Sequence, residues 1–217
     1  SNTGHFKCGT AADDFFSANA DHSALGDSDG LILIDPVSRG GSQSHNQWLY
    51  VMMRSSGEQS AAAAGRPQNA CYFRFKLGDN DTGTNDNLYN RINNIESNPA
   101  LVSGINAAEG GNNQLRTLGS KFWFRWQIRD QSPNVFYQWK IWDDGDTEPA
   151  GWVEYTDTDG GLLGETGITQ LVGRNFQGGQ NVEGAVDEIT ITDPDATPPA
   201  SGDDATGAFV AMIMQAA

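Results

Sequence analysis

Basic residues are scarce in this chain. Thirteen lysines and arginines stand against 28 aspartates and glutamates, for a formal net charge of −15 and a pI near 4.3. Such a surface repels phosphate backbones and anionic head groups, and no local basic patch offsets it, so nucleic acid and membrane surfaces are excluded as partners. No apolar run approaches the roughly 20 residues a membrane helix needs. Cysteine is almost absent, and two thiols, Cys8 and Cys71, make no disulfide framework; either they pair with each other or both are small buried hydrophobes. The three histidines, His5, His22 and His45, all lie in loop-like N-terminal sequence, and no Ser-His-Asp or Cys-His arrangement accompanies them. Helical runs of Leu, Glu and Lys are missing too.

What is present is the punctuation of a sheet protein. The 217 residues include 26 glycines and only 8 prolines, enough chain for one domain with a full core. Short apolar runs alternate with Gly, Asn and Asp clusters, which predicts antiparallel strands. They fall near Leu31–Asp35, Gln47–Arg54, Asn69–Leu77, Asn87–Asn93, Ala100–Ser103, Lys121–Arg129, Val135–Trp142, Val153–Asp157, Gly167–Arg174 and Ala185–Thr192. The segment from Asn87 to Ile95 also fits a helical stripe, but its asparagines and missing caps favour a strand.

Five of the six tryptophans sit between Lys121 and Trp152. In the first strand there, Phe122, Phe124, Trp126 and Ile128 take one face and Trp123, Arg125, Gln127 and Arg129 the other. The second repeats this, with Val135, Tyr137, Trp139 and Ile141 opposed to Phe136, Gln138, Lys140 and Trp142. Period two with one apolar face means a half-buried strand, so Trp126 and Trp139 belong to the core. Trp123, Arg125, Gln127, Gln138, Lys140 and Trp142 share the other face. Aromatic planes beside amide and cationic donors suit sugar binding; alternatively, the two rings cover a strand edge or pack under a loop.

Oxygen-rich loops occur at Asp27 (DSDG), Gly78 (GDNDTGTNDN), Asp143 (DDGDTE) and Asp157 (DTDGG). Calcium takes six to eight such oxygens, and the loop with Asp79, Asp81 and Asp86 is the first candidate for a structural calcium. None of the four completes a calcium-hand loop, and each alone also reads as a solvated turn.

The string FWFRWQIRDQSPNVFYQWKIWDDGDTEPAGW resembles the paired strands of concanavalin A-like, laminin G-like jelly-roll domains of bacterial and phage proteins. Trp123, Arg125 or Trp126, Lys140, Trp142, Gly145, Glu148, Pro149 and Trp152 occupy the places of a W-x-x-R-F-x-V strand, a K-x-W strand, a G-x-x-E-P turn and a following Trp. DDFFSANADHSALG from Asp13 is similar to the usual opening strand, and EGAVDEITI, with Val186 and Asp187, to the closing one. The resemblance spans roughly Asp13 to Thr192. It implies an all-β fold, a jelly-roll β-sandwich of two antiparallel sheets, with a concave face used for carbohydrate or protein ligands. The chain departs from it in a long insert, Glu96–Leu118, and an apolar C-terminus. Residues 1–12 then form an arm, 13–192 the domain, 193–207 a linker and 208–217 a docking tail or extra strand.

Some jelly rolls of this class cleave polysaccharides. A retaining hydrolase needs two carboxylates about 5 Å apart, and no strand carries alternating acids; Asp187 and Glu188 are adjacent and point to opposite faces. Lyases of the class resemble one another in a Gln-Ile-His strand, whereas Gln127–Arg129 reads Gln-Ile-Arg, and an arginine cannot act as a base. The expectation is therefore a non-catalytic binding or structural module on an external surface. The N-terminus has no basic, apolar signal region, Ser1 is what removal of an initiator Met leaves, and the tail wants a partner. Together with the resemblance these suggest a phage virion component, capsid-decorating or tail-associated, bound to copies of itself or to a scaffold. The alternative is a secreted carbohydrate-binding module, with glycans as partners; a weaker one is a polysaccharide lyase or glycoside hydrolase.

Overall fold

The computed structural model describes residues 4–7, 15–19, 24–39, 47–57, 66–76, 87–93, 95–97, 100–103, 105, 121–175, 182–192, 194 and 213–215. Within them every regular element is a strand: β1 (Gly4–Lys7), β2 (Phe15–Asn19), β3 (Ser28–Arg39), β4 (Gln47–Ser56), β5 (Asn69–Lys76), β6 (Asn87–Ile92) and β7 (Ile95–Glu96). They continue with β8 (Val102–Ser103), β9 (Phe122–Gln131), β10 (Asn134–Asp143), β11 (Val153–Asp157), β12 (Ile168–Asn175), β13 (Val182–Thr192) and β14 (Ile213–Gln215). Asn87 onward is a strand, and its helical stripe is accounted for by a turn at Asn93, where φ is +51° and the chain reverses into β7.

Two antiparallel sheets form. One has six strands in the order β1-β13-β3-β9-β10-β11; the other has eight, in the order β14-β2-β12-β4-β5-β6-β7, with β8 also on β6. Chain neighbours such as β3 and β4 lie in different sheets, whereas β3 lies between β13 and β9. The chain therefore winds from sheet to sheet, and the result is a jelly-roll β-sandwich. β1, from the segment set apart above as an arm, pairs with β13, and Ile213–Gln215 pairs with Ser17–Asn19 of β2. No helix among the described residues is long and apolar enough to cross a membrane.

The core lies between the sheets because alternation aims one face of each strand inward. Ile32, Ile34, Phe122, Phe124, Trp126, Ile128, Tyr137 and Trp139 come from one side, and Leu49, Val51, Met53, Cys71, Phe73, Phe75 and Leu88 from the other. Rings interlock across the gap: Phe73 meets Phe124 edge-on at 4.8 Å and Trp139 at 5.4 Å. The insert contributes as well, since Ile105 is buried and its carbonyl accepts the Trp139 indole N–H at 2.9 Å. Cys71 is a free buried thiol, not half of a bridge, with Sγ 3.6 Å from the Met53 carbonyl. Burial pushes its pKa up to about 12.

One end of the sandwich is closed by the connection from β11 to β12. Leu162 is buried there, and Arg54, at the end of β4, holds the closure in place. Its Nε donates to the Gly26 carbonyl at 2.7 Å and its Nη1 to the Leu162 carbonyl at 2.6 Å. Nearby, Asn90 joins three strands, accepting from the Tyr137 hydroxyl at 3.1 Å and donating to Asp157 at 2.7 Å.

Candidate functional site

The outer face of the six-stranded sheet carries the candidate residues. Antiparallel register sets them in rows: Trp142 opposite Trp123, Lys140 opposite Arg125, and Gln138 opposite Gln127. The strands thus bring all six together. On the third row the polar series extends both ways, to Asp29 on β3 and Glu154 on β11.

Arg125 and Lys140 are like charges on directly paired positions, an arrangement that is unfavourable without a counter-charge. Glu148, from the turn after β10, supplies it. Its Oε1 accepts from Arg125 Nη1 at 3.2 Å and from Lys140 Nζ at 2.9 Å. Partial burial works against ionising this carboxyl, but the hydrogen bonds and charges of Lys140 and Arg125 prevail and hold its pKa below the ordinary value. On its other side Arg125 grips Asp29, with Nη2 to Oδ2 at 3.1 Å, and the same oxygen accepts Gln127 Nε2 at 2.8 Å. The bond to Asp29, ahead of a smaller opposing effect of burial, raises the Arg125 pKa. Gln138 donates to Glu154 at 2.6 Å.

Three indoles frame this network. Trp123 and Trp142 stack with centroids 6.2 Å apart and planes 16° from parallel, and the Trp123 N–H donates to Asp144 at 3.1 Å. Trp152 lies over both cations, its centroid 4.4 Å from Lys140 Nζ and 5.5 Å from Arg125 Cζ. Lys140 and Trp142 are consequently buried, whereas Trp123, Arg125, Gln127, Gln138, Glu148 and Trp152 are half-buried. Glu148 and Trp152 belong to this face although alternation along the strands does not include them. The signal that marks them is the G-x-x-E-P…W string itself, whose Glu and Trp return to the K-x-W strand.

The acidic loops at Asp27, Asp143 and Asp157 are engaged by the chain's own donors. Asp27 Oδ1 accepts the Asp130 N–H at 2.9 Å and Arg54 Nη2 at 3.3 Å. Asp157 accepts the Asp159 N–H at 3.0 Å as well as Asn90. Among the described residues no group of three or more His, Cys, Asp or Glu could hold a metal ion; Asp79, Asp81 and Asp86 lie outside those residues. In the Gln-Ile-Arg strand, Ile128 is core, and Arg129 donates to the Ser28 and Ile128 carbonyls.

The eight-stranded sheet has an outer face that sequence reasoning missed. Trp48, Tyr50, Met52, Ala70, Tyr72 and Val172 form a second buried cluster, with Tyr89 packed against it. Register explains it. One row runs Gln170, Met52, Tyr72, Tyr89 and the next Val172, Tyr50, Arg74, Asn87.

No protein-family model matches the sequence, and no curated protein matches it significantly. Solved structures similar in shape include a Lotus tetragonolobus seed lectin, at 8% identity over 88% of this chain and 94% of the lectin, with a TM-score of 0.45. Peanut lectin with a nine-residue peptide matches at 8% identity over 89% and 100%, with a TM-score of 0.37. Arcelin-5, a lectin-like defense protein from Phaseolus vulgaris, matches at 7% over 86% and 98%, with a TM-score of 0.35. At these values the likenesses do not bear on function, and the fold rests on the strand order and register above.

Proposed function

We propose that the protein is a non-catalytic carbohydrate-binding module whose ligand lies on the outer face of β9 and β10. The observation that carries this reading is the half-buried pair Trp123 and Trp152 beside Arg125, Gln127 and Gln138, which are fixed in place by Asp29, Glu148 and Glu154. Sugar rings present apolar C–H faces that lie on indoles and hydroxyls that both donate and accept. A carboxylate offers about four lone-pair sites. Asp29 and Glu148 therefore retain acceptor capacity after binding their cations, and the network is held before any ligand arrives, which lowers the entropic cost of binding.

The rival reading, a virion subunit docked through its tail, draws no support from β14, where Ile213–Gln215 pairs with β2 of the same chain. A glycan array followed by titration tests the proposal. At least one neutral glycan should bind the wild type without release of product, and Trp123→Ala or Trp152→Ala should weaken it about tenfold or more. Absence of binding, or unchanged affinity in both variants, overturns it.

A further inference from the structure

We propose that Arg74, on the outer face of the eight-stranded sheet, is the receptor for a carboxylate of an acidic saccharide. It is a second site, across the sandwich from Trp123 and independent of the reading above. The guanidinium of Arg74 lies between two rings from the flanking strands, with Cζ 4.2 Å from the Trp48 centroid and 4.6 Å from the Tyr89 centroid. The register shows how. Arg74 is directly opposite Tyr50 on one side and Asn87 on the other, so Trp48 and Tyr89 are its diagonal neighbours, one on each side of β5.

The decisive feature is what Arg74 lacks. Arg54 and Arg125 hold carboxylates, and Arg91 and Arg129 hold backbone carbonyls. Arg74 makes no hydrogen bond or ion pair among the described residues, and its Nε is buried without an acceptor. A half-buried guanidinium without a protein acceptor is costly to keep unless solvent or a ligand supplies one at its accessible nitrogens.

The surroundings define the ligand. Tyr50, Met52, Tyr72 and Val172 are sealed, whereas Arg74 and Tyr89 are half-buried, so solvent reaches this face where the cation is. Two aromatic walls confine the guanidinium, and a guanidinium pairs bidentately with a planar oxyanion. A flat carboxylate fits between such walls better than a tetrahedral sulfate. The Tyr89 hydroxyl, which accepts from Asn87 Nδ2 at 3.0 Å, adds a group able to meet sugar hydroxyls. The net charge of −15 disfavours a long polyanion. A short uronide with one or two carboxylates is the ligand class.

Calorimetric titration of the full chain with digalacturonic acid, its methyl ester and inorganic sulfate tests this directly. Digalacturonate should bind the wild type, and both the ester on the wild type and digalacturonate on Arg74→Gln should bind about tenfold more weakly or worse. Trp123→Ala should leave uronide binding unchanged, which separates this site from the one proposed above. No binding of digalacturonate, equal binding of the ester, equal binding by folded Arg74→Gln, or sulfate binding as tightly would each overturn the proposal. The ester comparison uses only wild-type protein, so it decides the matter even if the Arg74 variant does not fold.

Discussion

Arg54 Nη1 lies 2.8 Å from the Asp130 carboxylate although the arginine side chain is 1% exposed and its backbone is left-handed, with φ at +52°. The same side chain reaches Asp27 and the carbonyls of Gly26 and Leu162. It thereby joins the start of β3, the end of β9 and the connection that closes the sandwich.

Replacing Arg54 by Met should destabilise the protein by about 3 kcal/mol, because a buried charge network loses its shared member and the Leu162 carbonyl loses its donor. The figure sits at the low end for broken buried pairs because Asp27 and Asp130 keep partial contact with water. Urea unfolding of the two proteins measures it. A loss below about 1 kcal/mol would show that water replaces the guanidinium at little cost.

Gly30 is directly opposite Trp126, and a Cβ built there would come within 1.9 Å of the indole. Gly30→Ala therefore forces the ring to move within a packed core, at a cost of about 3 kcal/mol or more. Trp126→Phe removes the far ring atoms together with an indole N–H that has no hydrogen-bond partner among the described residues. In a double-mutant cycle the alanine should cost markedly less in the Phe background, with a coupling of about 1 kcal/mol or more. Additive losses would mean that the glycine is required for its backbone alone.

These two positions show what the sequence disclosed and what it hid. The strands from Leu31 to Thr192 were legible because alternation is a local property, and the shared face of Trp123, Arg125 and Gln127 followed from it. Arg54 was not legible, because the even positions of β4 (Trp48, Tyr50, Met52) point outward, and a register irregularity between Met53 and Ser56 turns Arg54 inward. Glu148 and Trp152 lie in a turn, where alternation says nothing, and their engagement depends on how the turn folds back. The row of Tyr72 and Tyr89, and Arg74 beside it, depend on pairing between strands about 15 residues apart, which composition does not specify. β1, β2 and β14 are short edge-side pieces, polar or without clear alternation, held by partners distant in sequence, and β7 is a two-residue return onto β6, too short to show a period.

Cys71 should resist alkylation in the native state. Burial pushes its pKa up to about 12 and leaves almost no thiolate near neutrality. Its modification by iodoacetamide at pH 8 should therefore follow global unfolding and accelerate across the urea transition. A native-state rate close to that of a free thiol would mean that the region between β4 and β5 opens locally.

The pH dependence of stability should carry the signature of Glu148. Its folded pKa lies below the ordinary 4.5, so folding favours the ionised carboxylate. A depressed pKa contributes stability that is fully present above the unfolded value and is lost as pH falls through the folded one. Glu148→Gln keeps the shape of the side chain but removes the charge that separates Arg125 from Lys140, and it does not titrate. The wild type should thus be more stable than the variant by a constant margin above about pH 5.5, and the margin should close as pH falls below about 4.5. Because the glutamate is about one-third exposed, high salt should shrink the margin at neutral pH. Urea midpoints for both proteins across this range measure the effect. A margin that stayed constant down to pH 3 would show that Arg125 and Lys140 gain nothing from the Glu148 charge in solution.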